Sequence, residues 1–319
     1  MPLPEPVYVA GHTGLVGSAL LRKLRAAGYR EIITASRCDL DLAERAAVES
    51  FFRKIRPATV FLAAAKVGGI LANSTHPAEF ISENLAIELN VIQAAYGAGV
   101  KRLLFFGSSC IYPKACPQPI REEYLLTGTL ETTNQAYALA KIAGIEMCRA
   151  HNLQYGTKYI AVMPTNLYGP GDRYDLENSH VIPALLRKMH EARTGGRDSV
   201  NLWGTGSPRR EFLHVDDLAD ASVFLMRLPA ESYDALARMN PPTVNVGAGK
   251  DLTIAELAAL MGEVVGFRAK IHWDREKPDG TERKLLDSSR IRALGWSPSI
   301  ALRAGIAATY RDYLQEVSR

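Results

Sequence analysis

The chain has 319 residues, 47% hydrophobic and 23% charged, close to the average for folded globular proteins, which excludes a disordered, collagen-like or disulfide-stapled chain. Thirty-eight Lys and Arg against 34 Asp and Glu leave a net charge of +4, which leans toward small anionic ligands but is too slight for a nucleic-acid binder. Cys38, Cys110, Cys116 and Cys148 form no CxxC pair of zinc or redox spacing, and neither a signal peptide nor an apolar run of about 18 residues is present, so reduced thiols, a cytoplasmic setting, no metal and no membrane are expected.

In chain order, apolar runs at 7–10, 31–35, 59–65, 102–107 and 159–163 read as strands. Stretches of helical period at 15–27, 86–98 and 134–154 lie between them. The strands are apolar nearly throughout, as burial on both faces by crossover helices requires, so the expected fold is α/β, a doubly wound parallel sheet of the Rossmann type. After residue 163 the pattern loosens into PTNLYGPGDRYDLENSH, and a second, smaller substrate-binding domain is expected from near Tyr168. Residues 211–228 read as a helix and 244–247 as a short strand that returns the chain to the first domain, with turns at 204–208 and 278–280. The expected division is 1–168 with 211–247 for the cofactor and 169–210 with 248–319 for the substrate.

VYVAGHTGLVGSALLRKL (7–24) places Gly11, Gly14 and Gly17 between the first strand and the first helix. The first glycine permits a tight turn, the second a close approach to a pyrophosphate, and the third helix–strand packing, while the helix start offers N–H groups to the anion. Where an acidic residue would hold the ribose hydroxyls of NAD, the chain has Ser36 and Arg37, and an arginine suits a 2′-phosphate; Asp39 leaves NAD open, but NADP(H) is the expected cofactor. Tyr137 and Lys141, four residues apart on a helix, share one face. An ammonium there would lower the phenol's pKa from about 10 and let it exchange a proton with a carbonyl oxygen. Ser108 or Ser109, at a strand's C-terminal end in FFGSSCIYP, can reach the same carbonyl.

The glycine turn, the strand-end serines and the Tyr137/Lys141 pair resemble the extended short-chain dehydrogenase/reductases that act on nucleotide sugars. LAAAKVGGI (62–70), GSSCIYPK (107–114), EMCRAHNLQYG (146–156), MPTNLYGP (163–170), NSHVIPALLRK (178–188), REFLHVDD (210–217) and KPDGTERKLLD (277–287) are similar, within them, to the GDP-L-fucose synthases. The resemblance covers nearly the whole chain. It implies GDP-4-keto-6-deoxy-D-mannose as substrate, inversion at C3 and C5 on either side of the C4 ketone, reduction of that ketone with NADPH, and a homodimer built on two long helices. It further implies that Ser108 and Tyr137 hold the developing oxyanion, that Lys141 holds the nicotinamide ribose, and that Cys110 and His180 are the proton-exchanging pair. By the same resemblance, residues lining the cofactor are Gly11, His12, Thr13, Gly14, Leu15, Val16, Gly17, Arg37, Asp41, Leu42, Lys141, Pro164, Asn166, Leu167 and His180, and those holding GDP are Lys188, Trp203, Arg210 and Asp279.

Two departures stand out. Lys188 occupies a position where an arginine is common, and Thr13 stands where relatives carry an arginine that helps hold the 2′-phosphate. Taken without the resemblance, Cys110 reads as a small buried hydrophobe and His180 as a helix-start residue after Asn178 and Ser179. A 4,6-dehydratase would place an Asp-Glu pair after the strand-end Ser or Thr, where this chain has Ser109 and Cys110, and a 4-epimerase needs no Cys/His pair. A non-catalytic NADP-binding module would have no use for Tyr137, Lys141 and Cys110.

Overall fold

The computed structural model describes residues 2–175, 180–277 and 279–318; Asn178, Ser179 and Pro278, which belong to the expected helix start and turn, lie outside them. The chain opens with β1 (Val7–Ala10), α1 (Leu15–Ala26), β2 (Ile32–Ile33), α2 (Arg45–Ile55), β3 (Thr59–Leu62), α3 (Ile70–Thr75), α4 (Pro77–Gly97) and β4 (Arg102–Phe106). It continues through α5 (Gln135–Tyr155), β5 (Tyr159–Pro164), β6 (Asn166–Tyr168), α6 (Val181–Thr194), β7 (Ser199–Trp203), β8 (Arg209–His214), α7 (Val215–Met226), α8 (Ala230–Ala237) and β9 (Thr243–Val246). β10 (Asp251–Thr253), α9 (Ile254–Val265), β11 (Lys270–Asp274), β12 (Arg283–Lys284), α10 (Ser289–Ala293) and α11 (Leu302–Val317) complete it.

Six strands form one parallel sheet in the order β2-β1-β3-β4-β5-β9. Side chains alternate across it. Val7 and Val9 pack with Leu20 and Leu24 of α1 and Leu218 and Leu225 of α7, whereas Tyr8 and Ala10 pack with Phe52 of α2, Val91 of α4 and Ile145 of α5. Apolar cover on both faces explains why the strands are apolar throughout, and the sheet is the doubly wound one expected. The winding reverses between β1 and β3, which opens a crevice at the C-terminal ends of these strands, the usual ligand position in such sheets.

A separate core gathers Leu186 and Met189 of α6, Leu257 and Met261 of α9, and Ile306 and Tyr310 of α11. Two small sheets lie apart from the large one, β10-β8-β12 with β6 also on β8, and β11 with β7. Glu211, fully buried, ties distant segments together: its carboxylate accepts the Gly249 N–H at 2.6 Å and the Leu286 N–H at 3.0 Å. Among the described residues no helix is long and apolar enough to cross a membrane.

The structure corrects several element bounds. Residues 211–214, expected within a helix, belong to strand β8, and α7 begins only at Val215, capped by His214 Nδ1, which accepts the Asp216 N–H at 3.2 Å. The run EFLHVDDL suits either period locally; the ladder partners on β6 and β10, distant in sequence, decide for a strand. The expected division between 210 and 211 therefore cuts through β8. Helix α4 starts at Pro77, not near 86, with proline in the first turn where no N–H is required. Edge strand β2 is reduced to Ile32–Ile33, since it pairs on one side only.

Candidate functional site

The crevice starts where β1 ends. Gly11 takes φ +82°, the left-handed region that glycine enters without cost to a Cβ. A Cβ on Gly11 would lie 2.6 Å from Ala64 N, after β3, and one on Gly17 would lie 2.1 Å from the Gly11 carbonyl oxygen. Only glycines let turn, helix and neighbouring strand close in this way. A Cβ on Gly14 would meet nothing nearer than that oxygen at 3.5 Å, so room remains beside it. Gly14 is the N-cap of α1 without a capping side chain, and the first turn carries no acidic residue. The N–H groups of Leu15, Val16 and Gly17 thus meet no competing carboxylate in their own turn, and with His12 and Thr13 they form a cradle that fits a dinucleotide pyrophosphate.

Past β2, the Ser36 hydroxyl donates to Asp39 Oδ2 at 2.5 Å and Asp41 Oδ1 accepts the Ala43 N–H at 2.9 Å. The Leu42 carbonyl accepts from Asn90 Nδ2 at 3.0 Å. Arg37 is exposed, and its guanidinium lies 3.0 Å from Glu83, which also faces Lys66 at 3.5 Å. Asn166 Nδ2 donates to the Glu211 carbonyl at 2.9 Å, next to Pro164 at the end of β5, and Leu167 pairs with Leu213 on β8.

At the end of β4 the structure brings together Ser108, Cys110, Tyr137 and Lys141. Ser108 caps the 3₁₀ turn Ser109–Ile111, its Oγ accepting the Cys110 N–H at 3.4 Å. The same hydroxyl stands close to the Tyr137 phenol and the Cys110 thiol and favours the ionised form of each. Lys141 Nζ lies 4.6 Å from the Phe105 ring centre and 5.8 Å from that of Tyr137.

The electrostatics differ from expectation. Burial pushes the Tyr137 phenol well above its ordinary value, with Cys110 and Glu88 adding to the rise and Ser108 opposing it. The expected lowering by the ammonium does not appear; burial prevails, and Lys141 pairs with Glu88, 3.2 Å away between α4 and α5. Tyr137 is therefore held neutral, the state of a proton donor. Burial also raises the Cys110 thiol, opposed by Lys284, Ser108 and Lys141. Lys284, in ladder register with Arg210 across β12 and β8, is itself pushed down by burial, with Cys110 opposing.

Lys284 and Glu88 are site residues that the motifs missed. Lys284 lay inside the recognised segment 277–287 but matched no role; Glu88 carries only the faint signal of an acid among the buried positions Ile87, Val91 and Ile92 of α4. His180 is the N-cap of α6, without a capping hydrogen bond from its side chain. It keeps surface open to solvent, yet the surrounding chain desolvates the ring enough to lower its pKa, so the neutral imidazole prevails at neutrality.

A third group lies on the second core. Trp203 is 64% exposed, with Lys188 Nζ 6.0 Å and Lys277 Nζ 5.7 Å from its ring. Arg210 donates to the Arg209 carbonyl at 2.8 Å; burial lowers its pKa and Asp279 opposes that. Asp279 accepts the Thr205 N–H at 2.9 Å and the Thr205 hydroxyl at 2.6 Å, so its carboxylate shapes the turn beside Trp203.

Comparison with known proteins places the chain in a family. Residues 7–247 match the model of the NAD dependent epimerase/dehydratase family. The chain is 56% identical to GDP-L-fucose synthase 1 of Arabidopsis thaliana over 311 residues, 98% of this chain and 94% of that protein. It is 51% identical to the GDP-L-fucose synthase of Escherichia coli K12 over 315 residues, 99% of this chain and 98% of that one. Among solved structures it resembles MlghC, the GDP-mannoheptose C4 reductase from Campylobacter jejuni with NADP bound, at 38% identity and TM-score 0.86, covering 97% of this chain and 98% of that one. By the family model and these nearly full-length identities, the chain belongs to the NAD dependent epimerase/dehydratase family, among its GDP-L-fucose synthases.

Proposed function

We propose that this protein converts GDP-4-keto-6-deoxy-D-mannose to GDP-L-fucose, inverting C3 and C5 and reducing the C4 ketone with NADPH. The observation that carries the reading is the meeting of Ser108, Cys110, Tyr137 and Lys141 at the end of β4, beside the glycine cradle. Its test is direct: incubation with the keto sugar and NADPH should consume NADPH and yield GDP-L-fucose. A product without inversion, or no turnover, would overturn it.

The ketone acidifies the C–H bonds at C3 and C5, so inversion needs a base on one face, an acid on the other, and donors on the enolate oxygen. Cys110 and His180 are the exchanging pair. Lys284 favours the thiolate against the burial that opposes it. Ser108 and neutral Tyr137 donate to the oxyanion, and Tyr137 gives its proton to the C4 oxygen at reduction. Bound NADPH supplies the hydride for that step. Lys188 and Arg210 face the diphosphate, Trp203 packs on the base or ribose, and Asp279, both of whose carboxylate oxygens accept from Thr205, holds the turn beside the nucleotide. Residues 1–168 with 211–247 carry the cofactor and 169–210 with 248–319 the nucleotide sugar, β8 being shared between the two parts.

Arg37 is the cation for the 2′-phosphate, shared with Glu83 and unassisted at Thr13. NADPH should be preferred over NADH, and Arg37→Ala should erode the preference mainly through KM, by about tenfold, the scale of one charge-assisted contact. Steady-state kinetics with both cofactors checks it; equal efficiencies in the unaltered protein would show that Arg37 alone does not select the phosphate.

The protein forms a homodimer through α4 and α5. Leu89, Tyr96, Leu139 and Tyr155 on these helices are each more than 40% exposed, and Tyr96 stacks on Tyr155 at 4.3 Å to join the two. Light scattering should give twice the chain mass, and Leu139→Glu should halve it; a monomer before substitution would refute the assembly.

A further inference from the structure

The chemistry above gives no role to the pairing of Glu88 on α4 with Lys141 on α5. Glu88 is 1% exposed, and neither of its carboxylate oxygens accepts a hydrogen bond. Its charged neighbour is Lys141 Nζ at 3.2 Å, on a side chain that is itself 2% exposed. Gly144 on α5 makes the space: a Cβ there would lie 2.8 Å from Glu88 Oε2 and 2.5 Å from the Phe105 ring.

Packing alone does not account for this arrangement. Ile87, Val91 and Ile92 bury aliphatic side chains on the same helix, and removing a carboxylate and an ammonium from water commonly costs more than their attraction returns. What the pair does determine is where the lysine head lies.

We propose that Glu88 is a positioning residue for ketone reduction, its carboxylate holding the Lys141 ammonium between α4 and α5 beside Tyr137. This rests on the reading of Tyr137 and Lys141 as the reductase pair. A buried ammonium loses its proton more readily than one in water unless a counter-charge stands beside it. Glu88 supplies that counter-charge, at the cost of a carboxyl raised by its own burial and partly restored by Lys141. The titratable groups that sense the pair are Tyr137 and Cys148 on α5 and Cys110 after β4. With the lysine charged, the ribose hydroxyls of a bound dinucleotide meet a cation donor; with it neutral, they lose one.

The test compares Glu88→Gln, Glu88→Asp and Tyr137→Phe with the unaltered protein. For each, kcat of ketone reduction and the NADPH Kd, read from nicotinamide fluorescence, are measured across pH. In Glu88→Gln the NADPH Kd should rise about tenfold or more toward high pH, as expected when a buried ammonium loses its partner charge, while the alkaline fall of kcat should also begin earlier, in part because the Tyr137 phenol loses the carboxylate that helps raise it. Glu88→Asp, with the charge withdrawn by one methylene, should lie between, and it reads the same quantity if the glutamine variant does not fold. Deuterium incorporation at C3 and C5 without NADPH should change far less. Profiles in either Glu88 variant that run parallel to the unaltered protein would overturn the positioning role. If Tyr137→Phe reduces normally, the reductase assignment itself fails; if Tyr137→Phe is inactive while the Glu88 series is flat, only the role of Glu88 fails.

Discussion

Tyr137→Phe should bind NADPH with near-normal affinity yet reduce the C4 ketone about 10²–10³-fold more slowly, the cost of losing one donor aimed at a developing oxyanion. Burial holds this phenol neutral and therefore a proton donor, and its ring packs edge-to-face on Phe80 at 6.3 Å, so removing the hydroxyl leaves the packing in place. The loss should fall on kcat and kcat/KM alike, because the donated proton matters only as the hydride arrives. Single-turnover kinetics with NADPH checks this, and near-normal turnover would remove Tyr137 from the chemistry. Because the phenol is raised, reduction in the unaltered protein should hold steady through neutral pH and fall only in the alkaline range.

Cys110→Ser should separate the two reactions. A hydroxyl is too weak an acid, and too scarce as an alkoxide, to replace a thiol, so proton exchange at C3 and C5 should slow by about 10²–10⁴, the span of general acid–base catalysis. Reduction should persist and release GDP-6-deoxy-D-mannose or its C4 epimer. Incubation with the keto sugar in deuterated water, with and without NADPH, followed by NMR, distinguishes these outcomes. The pH dependence carries a sign: burial raises the Cys110 thiol, so a thiolate base is scarcer at low pH and exchange in the unaltered protein should quicken as pH rises. His180 titrates in the other direction, since burial lowers it and acid is needed to charge it. His180 variants should lose inversion with a different pH profile. Normal deuterium incorporation in Cys110→Ser would return Cys110 to a packing role.

Much was legible locally because its physics is local. The glycine spacing at 11, 14 and 17 is a property of one turn, the Tyr137/Lys141 pair of one helix face, and the buried parallel sheet of short apolar runs whose period spans a few residues. Those features gave the fold class and the positions of the strand-end groups without reference to any contact.

What only the tertiary structure decided depends on neighbours far apart in the chain. The segment 211–214 is strand because β6 and β10 pair with it, although its own pattern also suits a helix. Asp279 is engaged by Thr205, which no spacing rule connects to it. Above all, burial raises the Tyr137 phenol where the helix face alone predicted a lowering, and Lys141, four residues on, faces Glu88. A side chain's charge state is set by what burial removes and which partner charge replaces it, and both are fixed only when α4 and α5 pack together.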